Sequence, residues 1–327
     1  MRDGDLSLDQ RFQQFREDFA EITKQVSTVV VGQKAAVEAA VTCLLCGGHL
    51  LLEGPPGLGK TKLARAIAQA CSLEFRRIQF TPDVMPADII GTYLVMEAAG
   101  RRKFEFQEGP IFTNVLLADE INRTTPKSQS ALIEALAEGS CTVATRSYDL
   151  PQPFFTLATQ NNSETEGAYP LPRTQLDRFM LKLRLPFPSA DALDAMLVAA
   201  TEPSDAKIKA AVTSRRVLEL RSAVKEVAVA KEVRRAAIDL ILATHADQPT
   251  ASDSTRRFVA QGAGPRGAEA MINVAKVKAI LAGRAHAAEE DIRASAPAAL
   301  AHRIALSFEG QAEQASAEEI VKEIASR

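Results

Sequence analysis

The octapeptide GPPGLGKT, residues 54–61, constrains this chain more than any other stretch. Its spacing is G-x-x-x-x-G-K-T. It follows the apolar run HLLLE and opens the helix-like LARAIAQAC, so a strand is expected to run into a glycine-rich loop that turns at once into a helix. Gly54, Gly57 and Gly59 let backbone N–H groups turn inward around phosphate oxygens, and the following helix adds its positive end. Lys60 is then expected to reach the β- and γ-phosphates of a nucleotide, with the Thr61 hydroxyl on magnesium. Pro55, Pro56, Leu58 and, in the first helical turn, Leu63 complete the predicted cofactor-binding set.

A second motif supports the first. In NVLLADE, residues 114–120, an apolar strand ends in two carboxylates. One carboxylate can serve a metal and the other the nucleophilic water. Asp119 is predicted to hold magnesium, mainly through its water shell, and Glu120 to polarise the attacking water. The strand FFTLATQNN ends in polar amides that either touch the γ-phosphate or simply terminate the strand.

Five apolar runs (HLLLEG, EFRRIQF, NVLLAD, FFTLAT and FMLKLRL) alternate with helical patterns, which predicts an α/β fold with a parallel five-stranded sheet covered on both faces. An amphipathic helix carrying Phe12, Phe15, Phe19, Ile22 and Val26 precedes them, and a second helix is expected over about 33–46. Beyond Pro186 the texture becomes alanine-rich with helical periodicity. The 327 residues are therefore divided into a nucleotide-binding α/β domain, 1–186, and an all-helical domain, 187–327. Two hairpins, 91–109 (turning at 98–100) and 141–154, interrupt the alternation and are expected to project from the core. Tyr93, Phe104 and Tyr148 are candidate contacts to a client, against the alternative of local packing.

The formal net charge of −2 gives no global positive field to gather nucleic acid. No run of eighteen apolar residues exists and the amino end lacks a signal-peptide core, so no membrane span and a cytoplasmic location are expected. Cys43 and Cys46 have C-x-x-C spacing with His49 nearby, but no second ligand pair accompanies them, and buried thiols are expected instead.

Together these motifs resemble the AAA+ ATPases, and the local text resembles the MoxR family. VVGQ (30–33), RIQFTPDVMPADIIG (77–91), GPIFTNVLLADEINR (109–123), EGAYPLPRTQLDRF (166–179) and GPRG (264–267) carry the likeness. The resemblance implies that Asn161 is the sensor that orients water. It implies that Arg178 is an arginine finger for a neighbouring subunit, with Arg173 and Arg123 as reserves. It implies further that the helical domain is a lid with ATP held between it and the α/β domain, that Arg266 is a second sensor for the chain's own nucleotide and that Gln33 lines the adenine pocket. Arg173, Asn162 and Gly264 depart from the family's usual residues. The resemblance also implies a ring, most simply a hexamer. Its work would be chaperone-like remodelling or maturation, including metal insertion, of proteins bearing a von Willebrand factor A domain. The alternatives are a nucleic-acid motor and a nucleotide-controlled scaffold.

Overall fold

The computed structural model describes residues 7–98, 101–161, 168–201 and 207–327. The expected turn residues 99 and 100, and the start of the 166–179 motif with Asn162, lie outside that set.

Helix α1 (Leu8–Ser27) begins at a capping box in which Ser7 and Gln10 satisfy each other's backbone N–H groups. It buries Phe12, Phe15, Phe19, Ile22 and Val26 along one stripe, as their spacing predicts. Helix α2 (Lys34–Cys46) follows and ends at Gly47, whose φ of 74° suits glycine.

The sheet strands are β1 (Leu50–Glu53), β2 (Phe75–Gln79), β3 (Val115–Asp119), β4 (Phe155–Gln160) and β5 (Leu181–Arg184). All pair in parallel, in the order 2–3–4–1–5, which leaves β2 and β5 at the edges. Near-continuous apolar runs were expected because both faces are covered. Leu50 and Leu52 join a core with α1, α2 and α3 (Lys60–Ala70), whereas Leu51 joins a second core with the helix Pro126–Glu138. The core under Leu50 and Leu52 does not stop at the end of the sheet. It continues through Val217 and Leu220 of the helix Ser214–Glu226 to Met271 and Val274 of the helix Pro265–Leu281.

The part after β5 is helical, with one addition: Val259–Gln261 and Ala305–Leu306 form a short antiparallel ribbon. The two hairpins are present, one pairing Gly91–Ala98 with Arg101–Glu108, the other Ser140–Val143 with Arg146–Asp149. They pack on each other. The Tyr93 and Tyr148 hydroxyls lie 2.6 Å apart, and Phe106 stacks on Tyr148 with ring centroids 4.3 Å apart. Of the three candidate aromatics, the two tyrosines are thus engaged in local packing, and Phe104 alone stands exposed, at 70%. Cys43, Cys71 and Cys141 are buried free thiols and Cys46 is a half-buried one. Among the described residues no group of three or more His, Cys, Asp or Glu could hold a metal.

Candidate nucleotide site

β1 delivers the loop 54–59 to the amino end of α3. Gly57 (φ 85°) and Gly59 (φ 73°) take left-handed backbone, and a Cβ added at either would meet nothing within 4 Å. Glycine is therefore demanded by conformation rather than by crowding, and the space over the loop is open to a ligand. Gly54 is different: a Cβ there would come within 3.0 Å of Leu185, just beyond β5. The Lys60 ammonium donates to the Gly54 carbonyl at 2.7 Å, folding back over the loop. Burial pushes its pKa down from the ordinary lysine value, while the Asp119 and Glu120 carboxylates act in the opposite direction.

Opposite the loop, β3 ends in Asp119, and Glu120 adopts a left-handed φ of 57° that turns it out of the strand. Thr159, fully buried on β4, ties the pair together. Its hydroxyl donates to Asp119 Oδ1 at 2.6 Å and accepts from the Glu120 N–H at 2.8 Å. On the edge strand β2, Arg77 donates to Asp119 Oδ2 through Nη2 at 2.7 Å and Nε at 3.2 Å. Gln79 donates to Glu120 Oε2 at 3.0 Å, and Arg123 pairs with the same oxygen at 3.1 Å. Asn161 is buried at the end of β4, its carbonyl accepting from the Asn122 amide at 3.0 Å. Arg77, Gln79, Asp119, Glu120 and Asn161 line a cavity of about 280 Å³ together with Pro56, Gly57, Gly59, Lys60 and Thr61.

The donor set fits a magnesium nucleotide. Thr61 and Asp119 share one cavity with the glycine cradle, and magnesium habitually uses one or two carboxylates together with phosphate oxygens rather than an all-protein cage. A second, more apolar pocket of about 240 Å³ adjoins the loop. It lies between Val29–Gln33, Leu58 and the helix Ala190–Thr201, which contributes Leu193, Met196 and Leu197. Gln33 lines it and donates its amide to the Leu58 carbonyl. This shape suits an adenine base beside a phosphate loop. The predicted cofactor-binding set contains none of Leu193, Met196 and Leu197, whose i, i+3, i+4 spacing was the available signal.

Four expected residues fall elsewhere. Leu63 is fully buried in the core under α3, and Gly54 and Pro55 carry the loop without lining either cavity. Arg266, expected at its own chain's nucleotide, lines a separate cavity of about 270 Å³ together with Arg178, His49 and Met180. Its guanidinium pairs with Asp177 at 3.2 Å. The physical reason is topological. The cavity is built on residues that precede β1 and β5, and the phosphate loop follows β1. Four residues of strand at about 3.3 Å each separate the two ends, farther than an arginine side chain extends. Buried Arg303 fixes this arrangement, donating to Asp177 Oδ1 at 2.8 Å and to the Phe179 carbonyl at 2.8 Å. Of the reserve fingers, Arg173 donates to the Gly262 carbonyl at 2.9 Å, and Arg123 is engaged at Glu120.

Comparison with known proteins identifies the family. The profile of the ATPase family associated with various cellular activities (AAA) matches residues 49–181, and that of the AAA lid domain matches 252–324. Chaperone MoxR1 of Mycobacterium tuberculosis is 35% identical over 92% of this chain and 79% of its own. Uncharacterized protein YeaC of Bacillus subtilis is 38% identical over 93% of this chain and 92% of its own. A crystal structure from Cytophaga hutchinsonii, assigned to the ATPases, superposes with a TM-score of 0.88 at 36% identity, covering 97% of this chain and 96% of that one. With a glycine cradle, paired carboxylates and an attached lid, the chain belongs to the MoxR family of AAA+ ATPases.

Proposed function

We propose that the chain hydrolyses ATP at the boundaries of a ring, most simply a hexamer, and uses the cycle to remodel or mature partner proteins. Lys60 meets the β- and γ-phosphates, Gln33 and the helix Ala190–Thr201 hold the base, and Asn161 orients the water. Thr61 and Asp119 are the residues for magnesium, which when bound neutralises charge on the phosphate oxygens. Glu120 accepts the proton of the attacking water, and its hydrogen bonds from Gln79 and Arg123 hold it in place until then. Arg178 and Arg266 serve the nucleotide of the neighbouring subunit.

One observation carries the reading: the phosphate loop and the two arginines Arg178 and Arg266 lie at opposite ends of β1, which is what a nucleotide completed by a neighbouring chain requires. Arg178 Nε is also buried with no hydrogen-bond partner among the described residues, as suits a cation awaiting an anion. An arginine supplied across a boundary can contribute about 10³–10⁵ in rate. Arg178→Ala and Glu120→Gln subunits are each expected to be nearly inactive, and their mixture to recover part of the turnover. Absence of recovery in rings shown to exchange subunits would refute the trans role.

The client is proposed to be a protein with a von Willebrand factor A domain, with metal insertion as one form of maturation. Support comes from the family resemblance and from the chaperone description of the mycobacterial relative. Capture by a Glu120→Gln variant held in the ATP state tests it: co-purification of nucleic acid instead of such a protein would overturn it.

A further inference from the structure

Arg77 was not expected at the site, yet it makes the shortest charged contact with the magnesium carboxylate. Both its Nη2 and Nε donate to one oxygen, Asp119 Oδ2, at 2.7 and 3.2 Å. The Asp119 side chain is only 13% exposed, whereas that of Arg77 is 45% exposed and so has solvent to move into. The other carboxylate oxygen is already engaged by Thr159 at 2.6 Å. A guanidinium is a fixed, permanent positive charge. A hydrated divalent cation approaching Asp119 would meet it directly, because like charges sharing one carboxylate oxygen repel. The rest of the contact set makes displacement local. Arg77 also donates to the Gln79 side chain, whose amide reaches Glu120, so all three belong to one hydrogen-bonded row on β2 and β3.

We propose that Arg77 is a competitor for magnesium: it neutralises Asp119 and has to swing away when the metal–nucleotide complex binds, so that entry of the metal is sensed at the sheet's edge strand. It is a positioning residue, acting on Asp119 rather than on substrate. The inference rests on the reading of this cavity as a magnesium–nucleotide site. The magnitude expected is that of a partly exposed ion pair, which corresponds to about two- to fivefold in an equilibrium constant.

The test is equilibrium binding of a fluorescent ADP analogue to the full-length wild type, Arg77→Gln and Arg77→Lys, each with magnesium and with EDTA. ADP has no γ-phosphate, and nothing is hydrolysed. The quantity read is the ratio of the two Kd values, the gain in affinity that magnesium brings. Arg77→Gln is expected to enlarge that gain about two- to fivefold, and Arg77→Lys, which keeps the charge but loses the forked contact, to fall between it and the wild type. An unchanged or smaller gain in Arg77→Gln, or loss of binding in both conditions, would overturn the proposal. A wild type that binds no nucleotide in either condition would overturn the reading of the site as well.

Discussion

Thr159 holds both acidic residues of the site, and its loss can be reasoned through quantitatively. Thr159→Val keeps shape and β-branching but removes the hydroxyl that donates to Asp119 and accepts from the Glu120 N–H. Hydrogen bonds to charged groups contribute about 1.5–3 kcal/mol, and a buried donor left without a partner costs about 1–3 kcal/mol. The sum is an upper bound, because Asp119 keeps its Arg77 contact and lies beside a cavity that water can enter. We therefore expect a destabilisation of about 3 kcal/mol, within that range. With an unfolding entropy of about 2.1 cal/mol/K per residue over the 327 residues, each kcal/mol is worth about 1.5 °C, so the fall in melting temperature is roughly 4 °C. Turnover should fall as well, by at least about tenfold, since a positioning error near reacting groups can cost about 10²-fold. Thr159→Ser is the control: it keeps both hydrogen bonds and loses one methyl, at about 1 kcal/mol. Thermal unfolding and steady-state ATPase assays read both effects. If valine and serine variants melt together and turn over ATP alike, the hydroxyl is not what holds the two acids.

Three further outcomes are expected. Lys60→Ala should weaken ATP binding by about 1.5–3 kcal/mol for each charged hydrogen bond lost, measured by calorimetry; near-wild-type affinity would contradict the assignment of the loop. Glu120→Gln should still bind ATP while turnover drops about 10²–10⁴-fold, and an unchanged rate would mean that another group takes the proton. Stability should fall with acid because of His49, whose Nδ1 accepts from the Thr156 N–H and whose Nε2–H donates to the Leu136 carbonyl. Burial lowers its pKa to about 4, below the unfolded value of about 6.5, so the unfolded chain binds more protons between those limits. The contribution is complete above about pH 6.5 and is lost as the pH falls toward 4, about 2 kcal/mol of it between pH 7 and 5. His302, pushed in the same direction by burial and by Arg303, adds to the loss. Urea midpoints that stay flat over this interval would refute the argument.

The parts legible in the sequence are those whose chemistry sits in one contiguous string. The loop 54–61 and the pair Asp119–Glu120 can be read because a phosphate cradle and a strand-end carboxylate need adjacent residues. Arg77, Gln79 and Thr159 were out of reach for the opposite reason. They arrive at the carboxylates through sheet register, Gln79 beside Asp119 and Ala158 beside Ala118, and nothing in an apolar run specifies its neighbour's register. Arg266 was matched by its local string, GPRG, but its destination depends on how the helical part docks. That docking is set by Arg303 and Asp177, 126 residues apart. Tyr93 and Tyr148 looked available because hairpin strands alternate, and only the packing of one hairpin on the other shows that they face each other.

The core that runs without interruption from Phe15 through Leu44 and Val217 to Val274 limits where movement can occur. A hinge inside the chain would have to open apolar surface that α1, α2 and the later helices share, at about 25 cal/mol for each Å² exposed to water. The helical part is also bolted by Arg303 to the residues flanking Arg178. In the proposed ring each subunit would then behave as a stiff wedge, with its helical part and arginines moving as one piece against the neighbour's phosphate loop. Compliance in such a ring belongs to the seams between wedges. A substitution that loosens a seam should alter how many subunits act in concert, even where each wedge, taken alone, melts as before.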